Sequence, residues 1–90
     1  MKNKMFQPGV ILHEVIVGVF RANGDSFDDW CAREGYHRST ARQATYGQSG
    51  GDNGRALLAK IIEAAGPDIV EAAYRKRMIS EAARLEGTAA

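Results

Sequence analysis

Gly35 separates two short helical patterns, and it constrains the fold more than any other residue. Before it, three residues share one helical face through their i, i+3, i+4 spacing: Phe27, Trp30 and Cys31. Ser26, with Asp29 three positions later, fits a capping box and predicts a helix beginning at Phe27. Gly35 ends that helix, because the position after a helix often needs a positive φ, which glycine adopts without strain.

The second pattern, residues 37–46, predicts another short helix with a small inner face. Ala41 and Ala44 face back towards the first helix, while Tyr36 is an apolar anchor in the turn. The outward residues are polar or amphipathic: Arg38, Ser39, Arg42, Gln43 and Tyr46. Such a pair is typical of a helix-turn-helix, whose second helix enters the major groove of DNA.

Residues 26–46 resemble the helix-turn-helix of the Cro/λ-repressor-like superfamily, especially the small Ner-type phage regulators. Three positions carry the resemblance, a small residue, a turn glycine and an apolar residue: Cys31, Gly35 and Ala41. Tyr36 takes the hydrophobic place after the glycine, and residues 38–40 resemble the opening of a recognition helix. Cysteine stands where alanine is usual, and the alanines of the second helix replace larger aliphatics. The resemblance implies an all-α domain of four to five helices in a phage-type or prophage-type transcriptional regulator.

The expected DNA interface lies on the second helix of the motif. Arg38 or Arg42 is expected to bind guanine and Gln43 to bind adenine, because these side chains can form bidentate hydrogen bonds with base edges. Candidates for phosphate contact are Ser39, Thr40 and Tyr46, and His37 suits either role. Arg55 is either a phosphate contact or an ordinary surface arginine.

Charge and composition agree with a small DNA-binding protein. The 90 residues suffice for one core, and 44% apolar with 26% charged residues is ordinary for a globular protein. No acid lies between Glu34 and Asp52, a window that holds His37, Arg38 and Arg42; these residues either form the basic surface of a DNA binder or are merely solvated. One cysteine suits a reducing cytoplasm, no leader segment is expected, and the longest apolar stretch, 15–20, is too short to cross a membrane.

Two further helices are expected around the motif. The first runs from Pro8 to Ala22, although the β-branched residues at 15–19 also permit a strand. Another spans 55–65 and is capped by Asp52 or Asn53. Residues 47–54 form a glycine-rich connector whose amides are an alternative phosphate contact, and residues 1–7 form an arm that either contacts DNA or is a disordered terminus.

A last helix is expected from Pro67 to about Leu85, so that a DNA-binding domain (1–66) is followed by a C-terminal helical element (67–90). It carries more apolar surface than a core of this size needs, on Val70, Tyr74, Met78, Leu85 and their neighbours. It either wraps its own domain or pairs with a second copy in a homodimer. Residues 75–77 form a basic cluster that is solvated or contacts nucleic acid or a partner. The alternative function is an adaptor or antitoxin-like protein that binds a partner, such as the transcription machinery, through this helix.

The sequence favours neither catalysis nor a cofactor. Cys31 is expected in the core, and His13 lacks a second histidine at zinc-motif spacing, so no metal site is predicted. Asp28 and Asp29 are expected to face away from the second helix of the motif and to stabilise the first turn of their own helix.

Overall fold

In the computed structural model, which describes residues 6–48 and 51–89, the chain folds into five helices without a strand. They are α1 (Val10–Ala22), α2 (Phe27–Glu34), α3 (Arg38–Tyr46), α4 (Asp52–Ala65) and α5 (Pro67–Ala89). The predicted all-α class with a long C-terminal helix is confirmed. Residues 1–5 of the expected arm, residues 49 and 50 of the connector and residue 90 lie outside the described residues.

Helix α1 forms the centre of the fold and packs against the other four helices. Its buried residues recur every three or four positions: Leu12, His13, Val15, Ile16, Val19 and Phe20. That helical period rules out the alternative of a strand at 15–19, since a strand would bury every second residue. The β-branched residues therefore build a helix because tertiary packing outweighs their modest preference for strands.

The first helix starts at Val10, so the prediction of a start at Pro8 is wrong. The Gly9 N–H donates to the carbonyl oxygen of Thr45 at 2.9 Å, and Pro8 lies against Gly47. Because residues 8 and 9 are held by the C-terminal end of α3, they do not join the helical turn. Sequence periodicity contains no signal for this contact between distant segments.

Helix α4 begins at Asp52 with Gly51 as its N-cap, three residues earlier than predicted. Asp52 and Asn53 therefore lie inside the first turn, and neither caps the helix. The apolar stripe is confirmed, with buried Leu57, Leu58, Ile61 and Ile62 closing the same core cluster that contains Trp30 and α1.

The N-terminal half of α5 packs on α1 and α4 through the buried Val70 and Tyr74. Phe6 packs edge-on against the Tyr74 ring at 5.4 Å, so the described end of the N-terminal arm lies on α5. From Met78 to residue 87, every side chain except the half-buried Glu81 is exposed. The helix therefore extends beyond the core that its first half helps to build.

Candidate nucleic-acid interface

The beginning of α2 is fixed by Ser26 and Asp25. The Ser26 hydroxyl accepts a hydrogen bond from the Asp29 N–H at 2.9 Å, which confirms the predicted N-cap. A capping box also requires a hydrogen bond from the Ser26 N–H to the Asp29 side chain, and this part of the prediction is wrong. The Ser26 N–H donates instead to the carboxylate of Asp25 at 2.8 Å. A glutamate or glutamine is usual at that third position, and the shorter aspartate leaves this bond to its neighbour.

The turn between α2 and α3 follows the predicted pattern. Gly35 is left-handed, with φ 81°, and the Tyr36 N–H donates to the Cys31 carbonyl oxygen at 2.9 Å. The ring of Tyr36 stacks on Trp30, with centroids 5.7 Å apart. Cys31 has no exposed surface, and burial raises the pKa of its thiol, which therefore stays protonated at neutral pH. Cys31 thus acts as a small packing residue in this structure.

The inner face of α3 is built from three small, buried residues: Ala41, Ala44 and Thr45. The alanines were predicted to face inwards, and they do. Thr45 was missed, because threonine is mostly an exposed residue type and nothing in the sequence indicates that this one is buried. Small side chains bring α3 close to α1, since the space between two helices depends on the residues at their contact.

His13 connects α1 to α3 at this contact. Its Nδ1 lies 2.8 Å from the Thr45 hydroxyl, which itself donates to the Arg42 carbonyl oxygen at 3.0 Å. The hydroxyl has one proton, so His13 donates from Nδ1. The imidazole also stacks on Tyr46, with centroids 4.2 Å apart. Burial lowers the pKa of His13, and the nearby positive charge of Arg42 lowers it further.

Four of the eight predicted site residues line one shallow depression at the start of α3: His37, Arg38, Ser39 and Arg42. Gln43 is exposed on the same helix. We call Arg38, Ser39, Arg42 and Gln43 the outer face of α3. No acidic residue lies within α3, and this surface has a helix end, two guanidinium groups and an amide within reach of a polyanion.

The other predicted residues lie elsewhere. Tyr46 is half-buried against His13, so the prediction that it faces outwards is only partly right. Thr40 lies on another side of α3, in a groove shared with Tyr36 and Lys60. Arg55 lies in the first turn of α4 and pairs with Asp52 in the same turn.

Asp28 contacts the outer face of α3, although it was expected to point away from it. Its Oδ2 lies 3.3 Å from Nη1 of Arg38, so the first turn of α2 supplies a carboxylate to the first residue of α3. The guanidinium of Arg42, one turn further on, makes no hydrogen bond or ion pair with the described residues. The segment between Glu34 and Asp52 thus contains no acidic residue, but the carboxylate of Asp28 from α2 lies next to it in the folded chain.

The predicted basic cluster at residues 75–77 does not form one basic surface. Arg77 turns towards α1, and one of its terminal nitrogens lies 2.9 Å from Glu14, while its Nε donates to Glu81, also at 2.9 Å. Arg75 pairs with Glu71 at 2.9 Å. Arg75 and Lys76 line one depression on α5, whereas Arg77 turns away from them towards α1.

Among the described residues, no three histidine, cysteine, aspartate or glutamate side chains are grouped so that they could hold a metal ion. No described helix combines the length and apolarity that a membrane span requires. Comparison of the chain with protein-family models, with curated proteins and with solved structures found no match.

Proposed function

We propose that this protein is a sequence-specific double-stranded DNA-binding regulator of transcription, with α3 as the helix that enters the major groove. The observation that carries the proposal is the division of α3 into two faces. Ala41, Ala44 and Thr45 are buried on one face, while the other presents Arg38, Ser39, Arg42 and Gln43 to solvent. A short helix held rigidly by its small residues and carrying exposed arginines suits groove binding.

The contacts divide into two kinds. Arg42 is unpaired among the described residues and can move to a phosphate, where one guanidinium neutralises one charge and releases counterions. Arg38 and Gln43 have the bidentate geometry that reads guanine and adenine. Ser39 and His37, at the start of the helix, are phosphate contacts in this arrangement.

The proposed regulator acts as a homodimer. Two copies related by a two-fold axis bind two half-sites, which lengthens the recognised sequence and raises affinity. The exposed apolar residues of α5 support this assembly: Met78 is 42%, Ile79 65% and Leu85 70% exposed.

The test begins with selection of duplexes from a random pool by the wild-type protein, followed by fluorescence anisotropy at several salt concentrations. We expect enrichment of a two-fold symmetric sequence. Arg42→Ala should weaken binding to all duplexes and reduce the slope of log K against log salt by about one, because one phosphate contact is lost.

Arg21→Ala is the matched control. Arg21 is an exposed arginine in the last turn of α1, at the opposite end of that helix from the His13 contact with α3. Its loss should leave affinity and salt slope unchanged. Thermal unfolding of both variants checks that neither has lost the fold. If the wild type binds no duplex at low salt, or if both variants weaken binding equally, the proposal is wrong.

The exposed end of α5 also supports a second candidate, an adaptor that binds another protein through this helix. Ile79 and Leu85 are the large apolar residues that such a partner would cover. Arg42→Ala distinguishes the two candidates, because it weakens DNA binding but leaves an adaptor active. Ile79→Glu should inactivate the adaptor, but it would also weaken a DNA-binding dimer formed through α5.

A further inference from the structure

Arg38 and Arg42 differ in how they are held, although both lie on the outer face of α3. The side chain of Arg38 is 67% exposed and its guanidinium is bonded to Asp28, whose side chain is 42% exposed. Arg42 has no such partner among the described residues. The bond occupies one N–H of the five in the Arg38 guanidinium, which leaves enough donors for a bidentate contact.

We propose that Asp28 is a positioning residue for sequence recognition, which holds the Arg38 guanidinium in the orientation that reads one base pair. This inference rests on the proposed DNA-binding function. A side chain whose orientation is restricted by an ion pair loses less conformational entropy on binding than an unpaired one. The arginine that Asp28 holds is therefore the base-reading one, and the unheld Arg42 is the phosphate contact.

Asp28 has two opposite effects on DNA binding. Its negative charge lies next to a surface that must approach phosphates, so it weakens binding to every sequence. By orienting Arg38 it strengthens binding to the preferred base over the other three. Asp28→Asn should therefore raise affinity for unrelated duplexes and lower discrimination at one base pair. A carboxylate that only stabilises its own helix would leave discrimination unchanged, so the loss of discrimination is the result that identifies a positioning role.

Asp29→Asn is the matched control, because Asp28 and Asp29 are both acids in the first turn of α2. Both substitutions remove one negative charge and the same favourable interaction with the helix dipole. No hydrogen bond or ion pair joins the Asp29 side chain to Arg38 in the described structure. Comparable thermal unfolding of the two variants will show that helix stability is not the cause of a difference.

The experiment measures affinities for the selected duplex, for its single-base-pair variants and for a scrambled duplex. The proteins are wild type, Asp28→Asn, Asp29→Asn, Arg38→Ala and the double variant Asp28→Asn with Arg38→Ala. We expect Asp28→Asn to lose about two- to tenfold of discrimination, at the one base pair whose preference Arg38→Ala abolishes. In the Arg38→Ala background, Asp28→Asn should change discrimination no further.

Three results overturn the role of Asp28 and leave DNA binding intact. They are unchanged discrimination in Asp28→Asn, an equal loss in Asp29→Asn, and an Arg38→Ala variant that keeps every base preference. If the wild-type protein selects no sequence, the DNA-binding function fails, and the role of Asp28 fails with it.

Discussion

His13 is the residue on which the orientation of α3 depends most directly. Its ring stacks on Tyr46 and makes a T-shaped contact with Phe27, with centroid distances of 4.2 and 5.7 Å. Nδ1 donates to Thr45 at 2.8 Å. A histidine that packs and hydrogen-bonds at once fixes the distance and the rotation of α3 relative to α1.

Protonation of His13 should destabilise the fold. Burial, and then Arg42, lower its pKa from 6.5, whereas Glu14 and Asp28 raise it by smaller amounts. Because the folded state holds the proton less tightly than the unfolded state, stability is complete above pH 6.5 and falls as the pH drops towards the folded pKa. We expect the urea midpoint to decrease from pH 7.5 to pH 5.

His13→Gln should lower stability at pH 7.5 but remove most of its decrease between pH 7.5 and pH 5. His37→Gln, at an exposed position, is the control and should keep the decrease. Two carboxyl groups have pKa values lowered by arginine partners, Asp25 by Arg33 and Glu81 by Arg77, from 3.8 and 4.5. Protonation of these two carboxylates lowers the stability of the fold only at more acidic pH. A urea midpoint of the wild type that is flat over this range would contradict the role of His13.

Individual contacts of the candidate site were less predictable than its location. The sequence indicated which residues α3 exposes, because Ala41 and Ala44 mark the opposite face. It did not indicate the contact between Asp28 and Arg38, which lie 10 positions apart on different helices, or that between His13 and Thr45, which are 32 apart. Periodicity reports which face of a helix is buried, but not which residue of another helix lies against it.

At the scale of helices, the glycines that end α2 and α3 provide a matched pair. Gly35 and Gly47 have nearly the same left-handed φ, 81° and 82°. A Cβ on Gly35 would meet no atom within 4 Å, whereas on Gly47 it would lie 3.0 Å from the Cβ and 3.1 Å from the carbonyl oxygen of Pro8. The two positions thus share backbone strain and differ in available space.

Gly35→Ala should lower the free energy of unfolding by about 1–2 kcal/mol, the cost of a left-handed alanine. Gly47→Ala should cost at least about 1 kcal/mol more, since Pro8 has to shift away from α3. Gly24→Ala, with φ 81° and open space, is the control and should match Gly35→Ala. Chemical unfolding measures all three, and equal losses would show that Pro8 yields without cost.

The contact between Pro8 and Gly47 also explains why helix types were easier to predict than helix ends. Apolar spacing indicated α2, α3 and α4 correctly, and the start of α2 followed from its serine cap. The start of α1 depends on residues 8 and 9 being held by α3, and α4 starts at the less specific cap Gly51. The ends were therefore determined by tertiary contacts and by backbone preference, which composition alone does not reveal.

For the whole molecule, the main feature is that α5 is longer than the core beneath it. Its 23 residues span about 34 Å at 1.5 Å per residue, and the largest dimension of the chain is 47 Å. The sequence indicated surplus apolar surface on this helix. The structure locates Met78, Ile79 and Leu85 on its projecting half, where all three are exposed.

A homodimer formed through α5 should be weakened by Ile79→Glu without loss of the monomer fold. Ile79 is 65% exposed in the single chain, so glutamate there disturbs no intramolecular packing. In a symmetric dimer the substitution occurs twice, and each lost isoleucine is worth about 1.5 kcal/mol or more. The dissociation constant should therefore rise by about 100-fold. Sedimentation equilibrium over a wide concentration range measures the change.

Ser80→Glu introduces the same charge at the adjacent exposed position and points about 100° away around the helix. It should leave the dissociation constant within a few-fold of the wild-type value. A wild-type chain that remains monomeric at every concentration would contradict a dimer in the absence of DNA. Equal effects of both substitutions would indicate that α5 pairs through another face. If Ile79→Glu alone dissociates the dimer and also weakens binding to the two-fold symmetric duplex, pairing through α5 is what brings the two copies of α3 to the two half-sites.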